Sequence, residues 1–152
     1  MVASATFPSV TFSLDTSAYA SGEVLADTQV ITDAMLDKNV PMKLESILLL
    51  DEDDQGVAFD IYLFDSLVSL GTENGVVSIT DANMRSCLGI ISVATADWKD
   101  LGGSRVANIK NIGLVVKAAT DSRDLYVGIV NGTGTPTFTA SGLKAKLAFS
   151  KL

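Results

Sequence analysis

Histidine is absent from this chain of 152 residues, and cysteine occurs once, at Cys87. Histidine is the usual general base near neutral pH and the commonest transition-metal ligand in proteins. Its absence removes the serine nucleophile with a histidine base, and also the metal centre of a cupin enzyme. The lone cysteine cannot form an internal disulfide, and its apolar neighbours favour a small buried thiol over a nucleophile. We therefore expect a structural or binding protein without a cofactor, and not an enzyme.

Positive charge is also scarce, with 11 Lys and Arg residues against 18 Asp and Glu residues and a net charge of −7. The basic residues are scattered, so the sequence lacks the basic patch that binding to nucleic acid or an anionic membrane requires. Hydrophobic residues make up 47% of the chain and charged residues only 19%. Part of this apolar surface is therefore expected to contact protein instead of water.

Long apolar runs are missing as well, and no stretch approaches the roughly 18 residues that a transmembrane helix needs. The first ten residues, MVASATFPSV, lack the basic and then apolar pattern of a signal peptide. These features predict a chain that folds in a cytoplasm.

The hydrophobic pattern has the period of β structure, and helical periodicity is nearly absent. Val10, Phe12 and Leu14 alternate with polar residues, as in a half-buried strand. Pro8 has no amide hydrogen to donate, so this strand is expected to begin there or to lie at a sheet edge. The pattern as a whole predicts one all-β domain over residues 1–152. Its expected form is an antiparallel two-sheet sandwich, jelly-roll-like, with about eight strands and at most one short helix.

Turn-forming residues divide the sequence into strand-length pieces. The predicted strands cover residues 6–14, 23–31, 43–50, 57–64, 88–94, 108–117, 125–130 and 143–149, with a further short piece at 76–79. The strands at 43–50 and 57–64 are expected to form a hairpin. Residues 112–116 are apolar on both faces, which predicts a central strand of a two-layer core.

The one short helix is expected to be capped by Thr80 or Asp81 and to end at Arg85. Residues 94–104 are predicted to form a connecting loop that carries the only tryptophan, Trp98. An indole in a loop can stack on a sugar ring or anchor a protein contact, and Trp98 is therefore a candidate partner-binding residue. The alternative, which is favoured, is an amphipathic tryptophan that caps one end of the sandwich.

The acidic segment DEDDQG, from Asp51 to Gly56, resembles the first half of an EF-hand loop, with oxygen ligands at alternate positions and glycine in sixth place. Asp51, Asp53 and Gln55 would be the calcium ligands. The twelfth position is Tyr62 instead of a bidentate glutamate, and a strand pattern follows where a helix is needed. A solvated acidic turn is therefore the favoured interpretation, and no metal site is predicted.

The first eight residues form a candidate N-terminal arm, flexible or exchanged between chains. A short segment ahead of an edge strand can add to the sheet of a neighbouring molecule. Val2, Phe7 and Pro8 are therefore predicted, together with Trp98, to contact a partner. A frayed terminus is the equally weighted alternative.

Three segments carry a resemblance to a known family: SLDTSAYASGEV at residues 13–24, ILLLDEDDQGVAFDIYLFD at 47–65 and TPTFTASGL at 135–143. In this pattern of strands and turns the chain resembles small β-rich virion proteins encoded in tailed bacteriophage genomes. The resemblance implies a capsid decoration or cement protein, which binds the outside of an assembled head and ties neighbouring capsid subunits together. The implied partner is the major capsid protein, and the implied location is the virion surface.

A small domain that binds at symmetry axes binds more tightly as linked copies, so a homo-oligomer is expected, a trimer first and a dimer next. An acidic face of the sandwich is expected to complement basic patches of the shell. Two other classes remain open. A carbohydrate-binding sandwich for host attachment would gather Trp98 and tyrosines on one exposed surface, and an enzyme would need acids with perturbed pKa values in a cleft.

Overall fold

The computed structural model describes residues 3–152, which form strands joined by turns and two short helical segments. The strands are β1 (Ala5–Thr6), β2 (Ser9–Thr11), β3 (Val24–Ile31), β4 (Met42–Asp51), β5 (Phe59–Phe64), β6 (Cys87–Val93), β7 (Trp98–Asp100), β8 (Arg105–Ile109), β9 (Leu114–Val116), β10 (Leu125–Asn131) and β11 (Leu143–Lys151). The helical segments are α1 (Asp81–Met84) and a 3₁₀ turn at Thr95–Asp97. Within the described range, every helix falls short of what is needed to cross a bilayer.

The strands form two antiparallel sheets. Sheet 1 has the order β1-β11-β4-β8-β7, with β2 also paired to β11 and β9 also paired to β4. Sheet 2 has the order β3-β10-β5-β6. The prediction of an all-β, antiparallel two-sheet sandwich is therefore confirmed.

The strand order is that of a jelly roll. β1 and β2 act as one interrupted strand because both pair with β11, and β8 and β9 act as another because both pair with β4. With these counted as single strands, and β7 left aside as an extra edge piece, eight strands remain. In chain order, the first pairs with the eighth, the second with the seventh, the third with the sixth and the fourth with the fifth. This nested pairing is the jelly-roll topology.

The core lies between the two sheets and follows the alternation of the sequence. In β11, the side chains of Leu143, Ala145, Leu147 and Phe149 are buried, whereas Lys144 and Lys146 point outwards. From sheet 2, Phe59, Ile61 and Leu63 of β5 and the buried residues of β10 contribute the other side of the core. Burial of each such large apolar side chain contributes roughly 1.5–3 kcal/mol relative to exposure.

Local signals in the sequence predict two further features correctly. Pro8 lies between β1 and β2 at the outer edge of sheet 1, where its missing amide hydrogen interrupts no ladder. The short helix α1 forms where the cap was expected, because the hydroxyl of Thr80 accepts a hydrogen bond from the amide of Asn83 at 3.2 Å.

The predicted hairpin of strands 43–50 and 57–64 is wrong. β4 belongs to sheet 1 and pairs with β11, β8 and β9, whereas β5 belongs to sheet 2 and pairs with β10 and β6. The acidic turn therefore crosses from one sheet to the other. The alternation of a strand specifies which side chains face the core, but it does not specify the neighbouring strand.

Three smaller expectations also differ from the structure. Residues 112–116 do not form a central strand: β9 is a three-residue strand at the edge of sheet 1, and Val115 is exposed. Trp98 lies in the edge strand β7 and not in a loop. Residues 76–79 form no strand, because only Val76 makes an isolated bridge, to Glu23. Each difference depends on pairing between distant segments, which a short apolar run does not reveal.

A second, smaller core covers the outer face of sheet 2. The connection between β5 and β6, residues 65–86, folds back over the sheet and packs Val68, Leu70, Val77 and Ile79 against it. The sheet contributes Val24, Tyr62, Phe64, Tyr126 and Val130. The connection is fastened to β3 through Asp27, whose carboxylate accepts hydrogen bonds from the Leu70 amide and the Ser69 hydroxyl, both at 2.8 Å.

Candidate interaction surfaces

The acidic turn is held together by Asp51, whose side chain is buried at the end of β4. One carboxylate oxygen accepts a hydrogen bond from the amide of Asp53 at 2.9 Å. The other accepts from the amides of Gln55 at 2.8 Å and Gly56 at 2.7 Å. Hydrogen bonds to a charged acceptor are among the stronger ones in proteins, so this carboxylate fixes the path of the crossing turn.

The other polar side chains of the turn also have protein partners. Asp53 accepts from the amide of Thr139 at 2.8 Å, and the Gln55 side chain accepts from the amide of Thr137 at 3.0 Å. Asp54 pairs with Arg105 at 2.6 Å, and this carboxylate raises the pKa of the guanidinium above its ordinary value. The oxygens proposed for calcium at Asp51, Asp53 and Gln55 are thus already engaged in fastening the turn.

This geometry favours a structural role for the turn over a calcium site. Among residues 3–152, no cluster of three or more acidic or cysteine side chains is arranged to hold a metal ion. The turn instead ties together the β4–β5 crossing, β8 and the segment that precedes β11.

Trp98 is buried in β7, at the edge of sheet 1. Its indole N–H donates to the carbonyl oxygen of Val57 at 2.8 Å, and its ring packs against Phe59 with the ring centres 6.0 Å apart. The indole therefore has its hydrogen-bond partner within the protein, as expected for a buried tryptophan. This burial weighs against Trp98 as a partner contact, which stays an untested prediction.

The N-terminal segment is docked on its own sheet from Ser4 onwards. The carbonyl oxygen of Ser4 accepts from the amide of Lys151 at 2.9 Å, and that of Pro8 accepts from the amide of Leu147 at 3.0 Å. Between these anchors the side chain of Phe7 is 74% exposed. The prediction for Val2 lies outside the described residues. Phe7 is thus a large apolar side chain held by fixed backbone but turned to solvent.

The outer face of sheet 1 carries an apolar groove of about 210 Å³. Its lining includes the side chains of Thr11, Leu48, Leu50, Val106, Lys144 and Lys146. The cross-strand register brings these side chains together, because Leu50 lies opposite Lys144 and Val106, and Leu48 lies opposite Lys146. The groove therefore has leucine and valine at its centre and two lysines along one side.

The apolar groove could have been predicted from the sequence of β4, although the strand prediction did not consider it. Residues 47–50 read ILLL, an unbroken apolar run in a strand with one buried face. If Ile47 and Leu49 face the core, then Leu48 and Leu50 must face outwards. Two outward leucines on a central strand indicate an apolar patch on the surface of the sheet.

Charge is divided unequally between the two sheets. The strands of sheet 1 contain six basic residues: Lys43, Lys99, Arg105, Lys144, Lys146 and Lys151. The strands of sheet 2 contain two acids, Asp27 and Asp60, and no lysine or arginine. A chain with a strong negative net charge therefore places much of its positive charge on one side.

One acidic group in the covering connection is poorly compensated. A carboxylate oxygen of Glu73 is buried without a hydrogen-bond partner. Burial, and secondarily the charge of Asp15, raises the pKa of Glu73 above its ordinary value. Asp15 shows the opposite effect, because a hydrogen bond from Asn74 at 2.7 Å lowers its pKa.

Comparisons with known proteins add little to these observations. No protein-family model matches the chain, and no curated protein matches it. Among solved structures, the chain is similar to a chain in the structure of infectious bursal disease virus Gx strain, at 15% identity and a TM-score of 0.23. The similarity covers 97% of this chain and 37% of that one, so this chain spans little more than a third of its length. So low a TM-score supports no functional assignment.

Proposed function

We propose that this chain is a non-enzymatic virion structural protein of a tailed bacteriophage. It binds the outside of the assembled capsid as a decoration or cement protein and stabilises the expanded shell. The family named in this proposal comes from the sequence resemblance at residues 13–24, 47–65 and 135–143. The observation in the structure that carries the proposal is the exposed apolar groove on sheet 1, and Phe7 adds an exposed aromatic side chain between β1 and β2 at the edge of the same sheet.

The groove suits a protein partner. Leu48 and Leu50 stand on a central strand, which gives them a rigid backbone and a fixed spacing. A rigid apolar surface loses little conformational entropy when a partner covers it. Lys144 and Lys146 border the groove, so the matching patch of the shell carries acidic side chains beside an apolar centre. This assignment differs from the acidic face expected from the net charge alone.

The partner is the major capsid protein, and the stabilisation follows from linkage. A clamp that binds the expanded lattice and not the compact precursor lowers the free energy of the expanded form. Several copies held together bind more tightly than one, because the second contact becomes intramolecular. A homo-oligomer, a trimer or a dimer, fits this mechanism.

The observed geometry gives less support to the other two classes. A sugar-binding surface was expected to present Trp98 with tyrosines around it, but Trp98 and Tyr19 are both buried. An enzyme was expected to hold acids with perturbed pKa values in a cleft. Glu73 has a raised pKa, yet it lies in the connection over sheet 2 and away from the groove.

The test is binding of the purified chain to expanded and unexpanded heads of the source phage, followed by cryo-electron microscopy of the virion. We expect binding to expanded heads only, with ordered density on the outer shell. Leu48→Lys places a charge in the centre of the groove and is expected to weaken binding by at least about tenfold. Phe7→Ser should weaken it by less.

The matched control is Leu67→Lys, which adds the same charge at an exposed leucine in the connection over sheet 2. This variant should bind like the original chain. A complete virion without density for this chain on its outer surface would refute the proposed function. Equal binding of the Leu48→Lys variant would instead refute the groove as the contact surface.

A further inference from the structure

The edges of sheet 1 are protected against pairing with other chains. β7 has three residues, of which Lys99 and Asp100 are charged, and β9 also has three. At the opposite edge, β1 and β2 have two and three residues and are separated by Phe7 and Pro8. Short strands, charges and proline are the features by which proteins block edge-to-edge association.

The β3 edge of sheet 2 is long but covered. Its first residue, Val24, exchanges backbone hydrogen bonds with the connection, donating to Gly75 at 2.8 Å and accepting from Asn74 at 2.9 Å. Asp27 holds the Leu70 amide further along the strand. The pairing of β3 with β10 is also irregular, with register shifts on either side of Ile129. Cover, charge and bulges therefore close this edge.

Of these protections, the β6 edge of sheet 2 shows only a register shift against β5, between Cys87 and Gly89. The strand reads CLGIISV, seven residues without charge or proline. One side of β6 pairs with β5, and no backbone group between residues 3 and 152 pairs with the other side of Leu88–Ser92. Ile90, at the midpoint of the strand, is 50% exposed. Among residues 3–152, the β6 edge from Gly89 onwards thus offers an uncharged and open ladder.

We propose that β6 pairs antiparallel with β6 of a second copy of this chain, about a two-fold axis at Ile90. The regular part of β6 around this axis, Gly89–Ile91, pairs with itself, so the exposed Ile90 lies opposite its own copy. The inward residue Gly89 then lies opposite the inward residue Ile91, and the two faces stay matched. The two four-stranded sheets become one sheet of eight strands.

The outward side chains fit this pairing. In each copy Ile90 lies opposite Tyr62 of β5. The pairing therefore creates one apolar row across the interface, from Tyr62 through both Ile90 side chains to the second Tyr62. Apolar cross-strand pairs of this kind stabilise a sheet by roughly 0.2–1 kcal/mol each, beyond the backbone hydrogen bonds.

Charge explains why the occupant is a second copy. Each copy has a net charge of −7, and salt screens the repulsion between their distant charges, so like charges brought close together at the contact would oppose association most. Two copies of β6 bring no such charges face to face, because the strand contains no charged residue. The pairing does not depend on the proposed function, and it makes the dimer, the second choice from the sequence, the expected species.

The first experiment is sedimentation equilibrium of the purified chain over a wide range of concentrations. We expect a reversible monomer–dimer equilibrium. Ile90→Lys sets two ammonium groups against each other on the two-fold axis and should weaken dimerisation at least about tenfold. The matched control is Val30→Lys on β3, an apolar residue of similar exposure, 45%, at the opposite edge of the same sheet. This control should dimerise normally.

Cross-linking gives a second readout that does not require a destabilising charge. In a Cys87→Ser background, Ile90→Cys should form a covalent dimer when oxidised glutathione is added. Directly opposed residues in an antiparallel ladder lie about 4.5–5.5 Å apart between Cα atoms, within the range of a disulfide. Val30→Cys in the same background should stay monomeric.

The proposal is overturned by a chain that stays monomeric at every concentration. It is also overturned by an oligomer that Ile90→Lys leaves intact, or by a dimer in which Ile90→Cys does not cross-link. If β6 instead binds an extended segment of another protein, the isolated chain will be monomeric, and self-pairing is again refuted.

Discussion

The outer faces of the two sheets differ in what covers them. On sheet 2 the connection of residues 65–86 buries Leu70 and its neighbours in a second core. On sheet 1 no comparable segment of residues 3–152 covers the groove at Leu48 and Leu50, and Leu48 is 38% exposed. Both faces carry apolar side chains, yet those of sheet 2 are closed within the chain and those of sheet 1 are open. Sheet 2 thus buries its outer face within the chain, and under the proposed function the open outer face of sheet 1 is the one that contacts a partner.

The largest test of this comparison is a pair of truncations, Leu70→Ala and Leu48→Ala. Leu70 is fully buried, so its truncation leaves a cavity and should lower the free energy of unfolding by about 2–5 kcal/mol. The side chain of Leu48 already contacts solvent, so Leu48→Ala should lower the free energy of unfolding by less than about 1 kcal/mol. Urea denaturation of both variants measures the difference. Equal losses would show that the two faces contribute alike to stability.

A second test asks whether the connection of residues 65–86 packs closely against sheet 2. A Cβ atom at Gly128 of β10 would lie 2.6 Å from a methyl carbon of Leu70 and 3.0 Å from one of Thr28. Gly128→Ala should therefore lift the connection and lower the free energy of unfolding by about 1–3 kcal/mol.

The control for that variant is Gly103→Ala, because a Cβ at Gly103 would meet nothing within 4 Å. This change should leave stability nearly unaltered in the same denaturation experiment. If Gly128→Ala is as neutral as Gly103→Ala, then Leu70 does not press against sheet 2 in solution.

The smallest expected effect concerns Glu73 in the covering connection. The pKa of Glu73 is raised in the folded state, so the folded chain binds a proton at this site more tightly than the unfolded chain does. At neutral pH the carboxyl is ionised, and its charge then opposes folding. Glu73→Gln should therefore raise the melting temperature at pH 7. The gain should be below about 1 kcal/mol because the carboxyl is partly exposed, and it should disappear below the unfolded pKa of about 4.3.

Asp15→Asn provides the opposite control. The pKa of Asp15 is lowered in the folded state, so its contribution to stability is present above the unfolded pKa and is lost as pH falls through the folded value. Melting temperatures should be measured between about pH 3 and pH 7, a range that brackets ordinary carboxyl pKa values of roughly 4. At pH 7, relative to the original chain, the Glu73→Gln variant should melt at a higher temperature and the Asp15→Asn variant at a lower one. A Glu73→Gln variant that is less stable at pH 7 would contradict the assignment of Glu73 as a poorly compensated acid.

The candidate surfaces were predicted only in part from the sequence. The importance of the acidic turn was visible, but its role was not, because the partners of Asp53 and Asp54 are Thr139 and Arg105, far away along the chain. Trp98 was identified as a candidate, yet its burial depends on Phe59 at the start of β5 and on Val57 just before it, both distant from Trp98 in the sequence. Contacts of this kind arise only once the sheets have assembled.

The sequence by itself determined the features that depend on near neighbours. Alternation of apolar and polar residues specified the all-β class and the inward faces of β5 and β11. Pro8 marked a sheet edge, and Thr80 marked the start of α1. These features are local because a strand repeats every two residues and a helix cap spans three.

The tertiary structure alone decided which strands are neighbours and which surfaces stay open. It separated β4 from β5, placed the connection over sheet 2, and left the groove and the β6 edge uncovered. Each outcome joins segments that are distant in sequence, and many pairings satisfy the same alternation. Only the combined burial of both sheets selects one of them, which is why the open surfaces became visible only in the folded chain.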